Sequence, residues 1–439
     1  MSELTTIGPL AGPLVGSMRV PGDKSISHRA VLFSAMAEGT SRLSGVLDSE
    51  DVRSSMGAVQ QMGAQVDLTE QPDGSLAGTV TGWGAKGPQQ PDAPVYCGNS
   101  GTTVRLLMGV LAPWDIQVTL TGDESLSRRP MRRVAGPLMQ MGARFSPEGQ
   151  ETLPLTVHGT RELKGLSYDM PMASAQVKTA VMLAGLFAQG TTRVTEPAPS
   201  RNHTELMLPG YGVETVEAPC LAEVTGPSEL HACEVRVPGD PSSAAFIACA
   251  AALTPGSDVQ IEDVSLNPAR IGFVQVLERM GAAVSTRSVG SAGKELSGVI
   301  SVQYREGLRG CEVAGEEIAS LVDEVPILAL VAAHAEGVTV FHDIDELRVK
   351  ETDRAAAVID GLAILGVEAW IDGSDLYVQG NPDLQVQDGL VFQSGKDHRL
   401  AMTWALAGMT AGATVKVADF ESVAISYPGF LEDVRSLVQ

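Results

Sequence analysis

Polar and charged residues crowd the openings of six Ala- and Leu-rich stretches of this chain. Pro21-Gly22-Asp23-Lys24-Ser25-Ile26-Ser27-His28-Arg29 runs into the apolar segment 30–37, and Asn99-Ser100-Gly101-Thr102-Thr103-Val104-Arg105 opens the second stretch. Ser174-Ala175-Gln176-Val177-Lys178, Gly239-Asp240-Pro241-Ser242-Ser243, Asp323-Glu324 and Asp397-His398-Arg399 open the other four. A helix N-terminus offers unpaired N–H groups and partial positive charge, so it can hold an anion without help from a side chain. Lys and Arg beside several of these ends point to a small phosphorylated or carboxylated ligand. The plain alternative for Lys24, Ser25 and Arg29 is a helix cap with two solvated cations. Gly101 would let backbone approach a ligand closely, although its turn also suits an ordinary loop. Arg128-Arg129-Pro130-Met131 fits a surface pair or a ligand contact equally. No Gly-x-x-x-x-Gly-Lys-Ser/Thr string occurs, so this is not a nucleotide P-loop.

Two carboxylates have surroundings suited to moving protons. Asp323-Glu324 opens the very apolar run 325–330, and Glu351 lies between Lys350 and Arg354. Acids partly buried beside cations can be tuned for proton transfer. The other readings are an acidic helix cap and a surface helix with weak local ion pairs. His28, His203 and His398 lack metal-ligand spacing, and no Gly-x-Ser-x-Gly elbow supports a serine hydrolase.

The elements that must position these residues repeat. Gly190, Gly256, Gly337 and Gly412 follow their apolar stretches at intervals of 66, 81 and 75 residues, and Gly39 precedes Gly190 by 151, about two periods. Each is expected at a helix C′ position. A second series, Gln61-Met62-Gly63-Ala64, Gln140-Met141-Gly142-Ala143 and Arg279-Met280-Gly281-Ala282, keeps the same long period, with Gly212 and Gly366 as looser matches. Each unit reads as strand, helix, strand, helix, then strands, an α/β block of βαβαββ form. The sixth block ends at Gln439 without trailing strands, so the N-terminal segment is expected to supply strand to the last domain. Val20-Pro21-Gly22-Asp23 recurs as Val237-Pro238-Gly239-Asp240, which places the interdomain crossings near Pro21-Gly22 and Pro238-Gly239. Residues 22–238 would then form one domain, and 1–21 with 239–439 the other. Two globules joined by two strands are expected to move by hinge closure.

Bulk properties agree with that plan. At 439 residues the chain calls for two domains of about 200 residues each. The net charge of −22 argues against nucleic acid as a partner. Five scattered cysteines read as reduced thiols in a cytoplasmic protein. The N-terminus lacks signal-peptide character, and no apolar run approaches a membrane span.

Taken together, Pro21 to Arg29, Gly98 to Arg105, Arg129-Pro130-Met131, Ser174-Ala175-Gln176, Glu346 to Arg354 and Asp397-His398-Arg399 resemble the 5-enolpyruvylshikimate-3-phosphate synthase family nearly end to end. The resemblance implies an inside-out α/β barrel in each of two domains, three repeats apiece. It implies carboxyvinyl transfer from phosphoenolpyruvate to the 5-hydroxyl of shikimate 3-phosphate, in the pathway to chorismate and aromatic amino acids. No metal or organic cofactor is implied, and the expected state is a monomer. By this resemblance Lys24, Ser25, Arg29, Ser174, Ala175, Gln176, Arg201, Asp323 and Lys350 hold shikimate 3-phosphate. Lys24, Gly101, Arg129, Gln176, Arg354 and Arg399 would contact phosphoenolpyruvate. Asp323 becomes the base for the 5-hydroxyl, and Glu351, with Lys24 nearby, the acid for the methylene carbon. Arg201-Asn202-His203-Thr204-Glu205 and Ser174-Ala175-Gln176 look like the class II branch of this glyphosate-targeted family. Gly101 is kept where some tolerant members carry Ala, Leu106 replaces the Pro of class I, and Ala269 stands where class II members usually have Thr. The sister enzyme acting on UDP-N-acetylglucosamine carries a Lys-Asn pair and a loop Cys; here Ser25 follows Lys24 and 121–129 contains no Cys. A binding protein that had lost catalysis would lack the acids or cations, all of which are present.

Overall fold

The computed structural model describes residues 3–292 and 294–439. It is a two-domain α/β protein. One compact unit comprises Met1–Pro21, Pro238–Gly290 and Leu296–Gln439; the other comprises Gly22–Val237 and Ser291–Glu295. The second junction falls between Val237 and Pro238, one residue ahead of the expected crossing.

All six polar openings begin helices: α1 (Lys24–Met36), α2 (Gly101–Leu111), α3 (Ala175–Gly185), α4 (Pro241–Leu253), α5 (Val325–Ala333) and α6 (His398–Ala411). Their apolar residues run round the whole helix circumference, and such a helix is stable only when buried on every side. Every residue of α5 is buried, as is α4 from Pro241 to Ala252. Charged side chains are confined to the N-terminal halves. Asp23 accepts from Ile26 N at 2.7 Å, Ser100 from Thr103 N at 3.1 Å, and Ser174 from Val177 N at 3.4 Å. Asp240 accepts from Ser242 N at 2.8 Å and Asp397 from Arg399 N at 2.9 Å, so five of the six ends carry a side-chain cap. In α5 the N-cap residue is Glu324, and its side chain makes no cap bond.

The helices lie between sheets that share one pairing rule. In the second unit Val95–Tyr96 runs parallel to Gln117–Thr121, which is antiparallel to Leu155–His158, itself antiparallel to Arg144–Ser146. Strand Thr40–Val46 repeats this arrangement, with Glu234–Arg236 as the parallel neighbour returned from the far end of the unit. The N-terminal segment supplies two strands to the first unit. Val15–Arg19 runs parallel to Asp258–Ser265, and Leu4–Ile7 closes the last sheet antiparallel to Val415–Ala418. Each unit has its own apolar core. No helix among the described residues is long and apolar enough to cross a membrane.

The expected helix-terminal glycines need one correction. Gly412 does cap α6 in the left-handed conformation. Gly39, Gly190, Gly256 and Gly337 also have positive φ but lie beyond the helix ends, and Gly190 and Gly337 are the first residues of strands. The C-caps are Ala37, Leu186, Thr254 and His334, whose backbones stay at negative φ. The chain leaves each helix through a short turn and reverses only at the glycine.

Helices α2 and α3 cross at very close range. A Cβ on Gly109 would fall 2.2 Å from the Ala180 carbonyl oxygen and 2.7 Å from its Cα. Backbone cannot yield as a side chain can, so Gly109→Ala should destabilise the second unit by about 1–3 kcal/mol or more. Urea unfolding followed in that unit checks this; an unchanged midpoint would show that the helices can separate freely.

Candidate active site

In the second unit, the first turns of α1, α2 and α3 bring cations together around small residues. Lys24 Nζ lies 2.5 Å from Asp51 Oδ2 and keeps 21% of its side chain exposed. Gly101, the first residue of α2, faces two guanidiniums: a Cβ there would sit 3.0 Å from Arg105 Nη1 and 3.4 Å from Arg129 Nη1. The absent side chain is what leaves both arginines room beside a helix N-terminus. Arg105 Nη1 donates to Gln176 Oε1 at 2.7 Å, and Gln176 Nε2 donates to Thr102 Oγ1 at 3.0 Å. Arg129 Nη2 donates to Asn99 Oδ1 at 2.7 Å, and Asn99 is held in turn by Asp123 at 2.6 Å. Ser174 caps α3 and Ala175 begins it. Helix N–H groups, two guanidinium forks and an amide make a cradle for an oxyanion.

Arg29 differs from its neighbours. It is 3% exposed, and its guanidinium donates to Thr204 Oγ1, Thr179 Oγ1 and the Ser25 carbonyl at 2.8, 2.8 and 2.9 Å. Burial pulls its pKa down to about 10, against the opposing pull of Glu205; Arg201 is close enough to push the same way as burial. Ser25 is therefore the more accessible member of this turn, with Arg29 directly behind it.

In the first unit a single cation organises the acids. Arg354 is 1% exposed at its side chain; Nε donates to Asp397 Oδ2 at 2.7 Å, Nη1 to Asp323 Oδ1 at 2.8 Å and Nη2 to Glu351 Oε2 at 2.6 Å. Burial alone would lower the pKa of Arg354, but Glu351, Asp397 and Asp323 outweigh it and hold the guanidinium ionised well above its ordinary range. Lys350 Nζ lies 2.7 Å from Glu346 and 3.8 Å from Asp323 Oδ1. Arg399 approaches Asp323 Oδ2 at 4.0 Å and the buried Glu324 at 3.6 Å. The base candidate and the acid candidate thus share one fixed guanidinium, and Lys350 and Arg399 flank the first.

The sequence-derived residues Asp323, Lys350, Glu351, Arg354 and Arg399 meet in one cluster of the first unit. In the second unit Gly101, Arg129 and Gln176 meet at the start of α2, while Lys24, Ser25, Ser174 and Ala175 stand at the starts of α1 and α3. Several participants went unassigned, Asp397 and Asn99 among them. Arg105 carries a usable signal, since it lies one helical turn after Gly101 on the same face. Glu346 carries one too, four residues before Lys350, whereas Asp51 reaches Lys24 only through the fold.

A family model of EPSP synthase (3-phosphoshikimate 1-carboxyvinyltransferase) matches residues 10–434. The chain belongs to the EPSP synthase family. It is 44% identical over 421 residues to a 3-phosphoshikimate 1-carboxyvinyltransferase of Nitrosococcus oceani, covering 96% of this chain and 93% of that one. It is 43% identical over 437 residues to the enzyme of that name from Bacillus thuringiensis, covering 99% of both. The solved EPSP synthase of Acinetobacter baumannii superposes with a TM-score of 0.88 at 38% identity, over 100% of this chain and 98% of that one. An enolpyruvyl transferase of Streptomyces tendae, at 19% identity and a TM-score of 0.79, shares the fold.

In this EPSP synthase family member a buried histidine lies behind the α1–α2 cluster. His28 Nδ1 is 2.8 Å from Ser55 Oγ, which is 2.7 Å from Thr103 Oγ1. Burial, aided by Lys24 and Arg29 and opposed by Asp51, pulls its pKa from 6.5 down to about 3. Between those values the unfolded chain binds a proton that the folded chain refuses, so stability falls as pH falls through this window. His28→Gln should flatten that dependence by up to about 1.4 kcal/mol per pH unit. Urea unfolding across the window measures it, and an unaltered slope would assign the loss to other groups.

Proposed function

We propose that this chain transfers the carboxyvinyl group of phosphoenolpyruvate to the 5-hydroxyl of shikimate 3-phosphate, releasing phosphate, as a 3-phosphoshikimate 1-carboxyvinyltransferase. The observation that carries the mechanism is the Arg354 cluster, where Asp323 and Glu351 are held at 2.8 and 2.6 Å from two nitrogens of one guanidinium. Asp323 takes the proton of the 5-hydroxyl as its oxygen attacks C2 of phosphoenolpyruvate. Glu351, assisted by Lys24, delivers a proton to the methylene carbon, giving a tetrahedral intermediate. Loss of phosphate and of one methyl proton, returned to the carboxylate, restores the vinyl group.

In this reading Lys24, Ser25, Arg29, Ser174, Ala175, Gln176, Arg201, Asp323 and Lys350 hold shikimate 3-phosphate. Lys24, Gly101, Arg129, Gln176, Arg354 and Arg399 hold phosphoenolpyruvate. Arginine forks match phosphate and carboxylate bidentately, which suits a ligand with both groups on three carbons. The residues come from both units, and the reading has them act on one substrate pair. Arg105 joins them by fixing the Gln176 amide. The reading also has the chain work as a cytoplasmic monomer that binds neither nucleic acid nor membrane.

Phosphate release with phosphoenolpyruvate tests the acceptor. Release that requires shikimate 3-phosphate is expected; release only with UDP-N-acetylglucosamine, or silence with both from folded protein, contradicts the reading. The role of Asp323 has its own test. Asp323→Asn should lower kcat by about 10²–10⁴-fold while shikimate 3-phosphate still binds. Equal losses in binding and turnover would make Asp323 an anchor rather than a base.

A further inference from the structure

Of Arg201-Asn202-His203-Thr204-Glu205, the reaction above uses only Arg201, yet His203, Thr204 and Glu205 are all buried. Glu205 Oε1 lies 2.8 Å from Lys178 Nζ, and Glu196 Oε1 lies 2.6 Å from the same nitrogen. These three side chains are only 3%, 2% and 2% exposed. Ser200 closes the group, its carbonyl accepting from Lys178 at 3.5 Å and its hydroxyl donating to Glu196 Oε2. Thr204, next to Glu205, accepts from Arg29 Nε and shares a 2.7 Å hydrogen bond with Thr179, which follows Lys178 in α3. Adjacent residues of one short helix, His203–Met207, thus hold buried cations from two others: Arg29 of α1 and Lys178 of α3.

Arg29 makes no ion pair among the described residues, whereas Lys178 faces two carboxylates. Glu205 is the strongest charge acting on Arg29, with Asp23 and Glu295 pulling the same way and Arg201 opposing them. The positions repeat as well. Ser25 and Arg29, Ser174 and Lys178, and Arg201 and Glu205 are each four residues apart. In the two helical pairs, α1 and the start of α3, that spacing puts the second residue one turn behind the first. Each leading residue is one that the proposed function assigns to shikimate 3-phosphate.

We propose that Lys178, Glu196 and Glu205 are positioning residues: a buried ionic brace that sets the spacing of the three stretches presenting Ser25, Ser174–Ala175 and Arg201 to shikimate 3-phosphate. The inference rests on the substrate assignment above. A buried ion pair fixes geometry without adding much stability, because desolvation cancels most of the attraction. The brace should therefore govern affinity for one substrate more than resistance to unfolding.

The test uses the full chain, with binding of shikimate 3-phosphate measured by calorimetry and KM for phosphoenolpyruvate measured at saturating acceptor. Lys178→Met strands two buried carboxylates and could impair folding by itself. The double variant Lys178→Met/Glu205→Gln removes one cation and one anion together and is the decisive one. Still folded, though at a lower unfolding midpoint because Glu196 has lost its lysine, it should bind shikimate 3-phosphate about 10- to 100-fold more weakly and keep KM for phosphoenolpyruvate within about threefold. Lys178→Arg should restore most of the binding. Wild-type affinity in the double variant, or equal losses for both substrates, overturns the brace. Absence of shikimate 3-phosphate binding by the wild-type chain overturns both the brace and the substrate assignment.

Discussion

A cation buried at the start of an apolar helix must be answered by a fixed partner, and much of this molecule follows from that requirement. Taking an ion out of water costs several kcal/mol, which only close, well-aligned acceptors offset. Arg354 is answered by three carboxylates, Lys178 by two, and Arg29 by two threonine hydroxyls and a carbonyl. For Arg354 the answering acids include the two proposed to move protons. Their placement is thus a consequence of the same electrostatic demand that keeps the guanidinium in the core.

More exposed cations are tethered in a second manner. Lys24 is held by Asp51, Arg129 by Asn99, Arg105 by Gln176 and Lys350 by Glu346. Each tether fixes a long, flexible side chain before any anion arrives, which lowers the ordering cost of binding. Gly101 contributes by omission, since a methyl group there would press on two of these guanidiniums. The polar helix ends supply oriented N–H groups, and the tethered cations add charge and direction.

Much of this was legible in the chain because the signals are local. The six helix starts follow from residue type and spacing over short distances, and the strands donated by the N-terminal segment follow from the long repeat, whose sixth block ends without its own. The helix-terminal glycines were placed too early, since positive φ at Gly39, Gly190, Gly256 and Gly337 serves the reversal into a strand rather than the helix end. Partners distant in sequence carried no signal. Asp51 on Lys24 and Glu196 on Lys178 depend on chain segments brought together by the fold. Glu351 was ambiguous for a related reason: an acid three residues before an arginine is usually a surface pair, and only the burial of Arg354 makes it more.

The proton carried to the methylene carbon tests the account most directly. Turnover in deuterium oxide, followed by mass spectrometry of the vinyl product, should show deuterium entering the wild-type product. Glu351→Gln, still binding shikimate 3-phosphate, should form labelled product only at a much reduced rate. Deuterium entry at the wild-type rate in that variant would remove Glu351 from the proton path, and with it the reading of the Arg354 cluster as the catalytic centre.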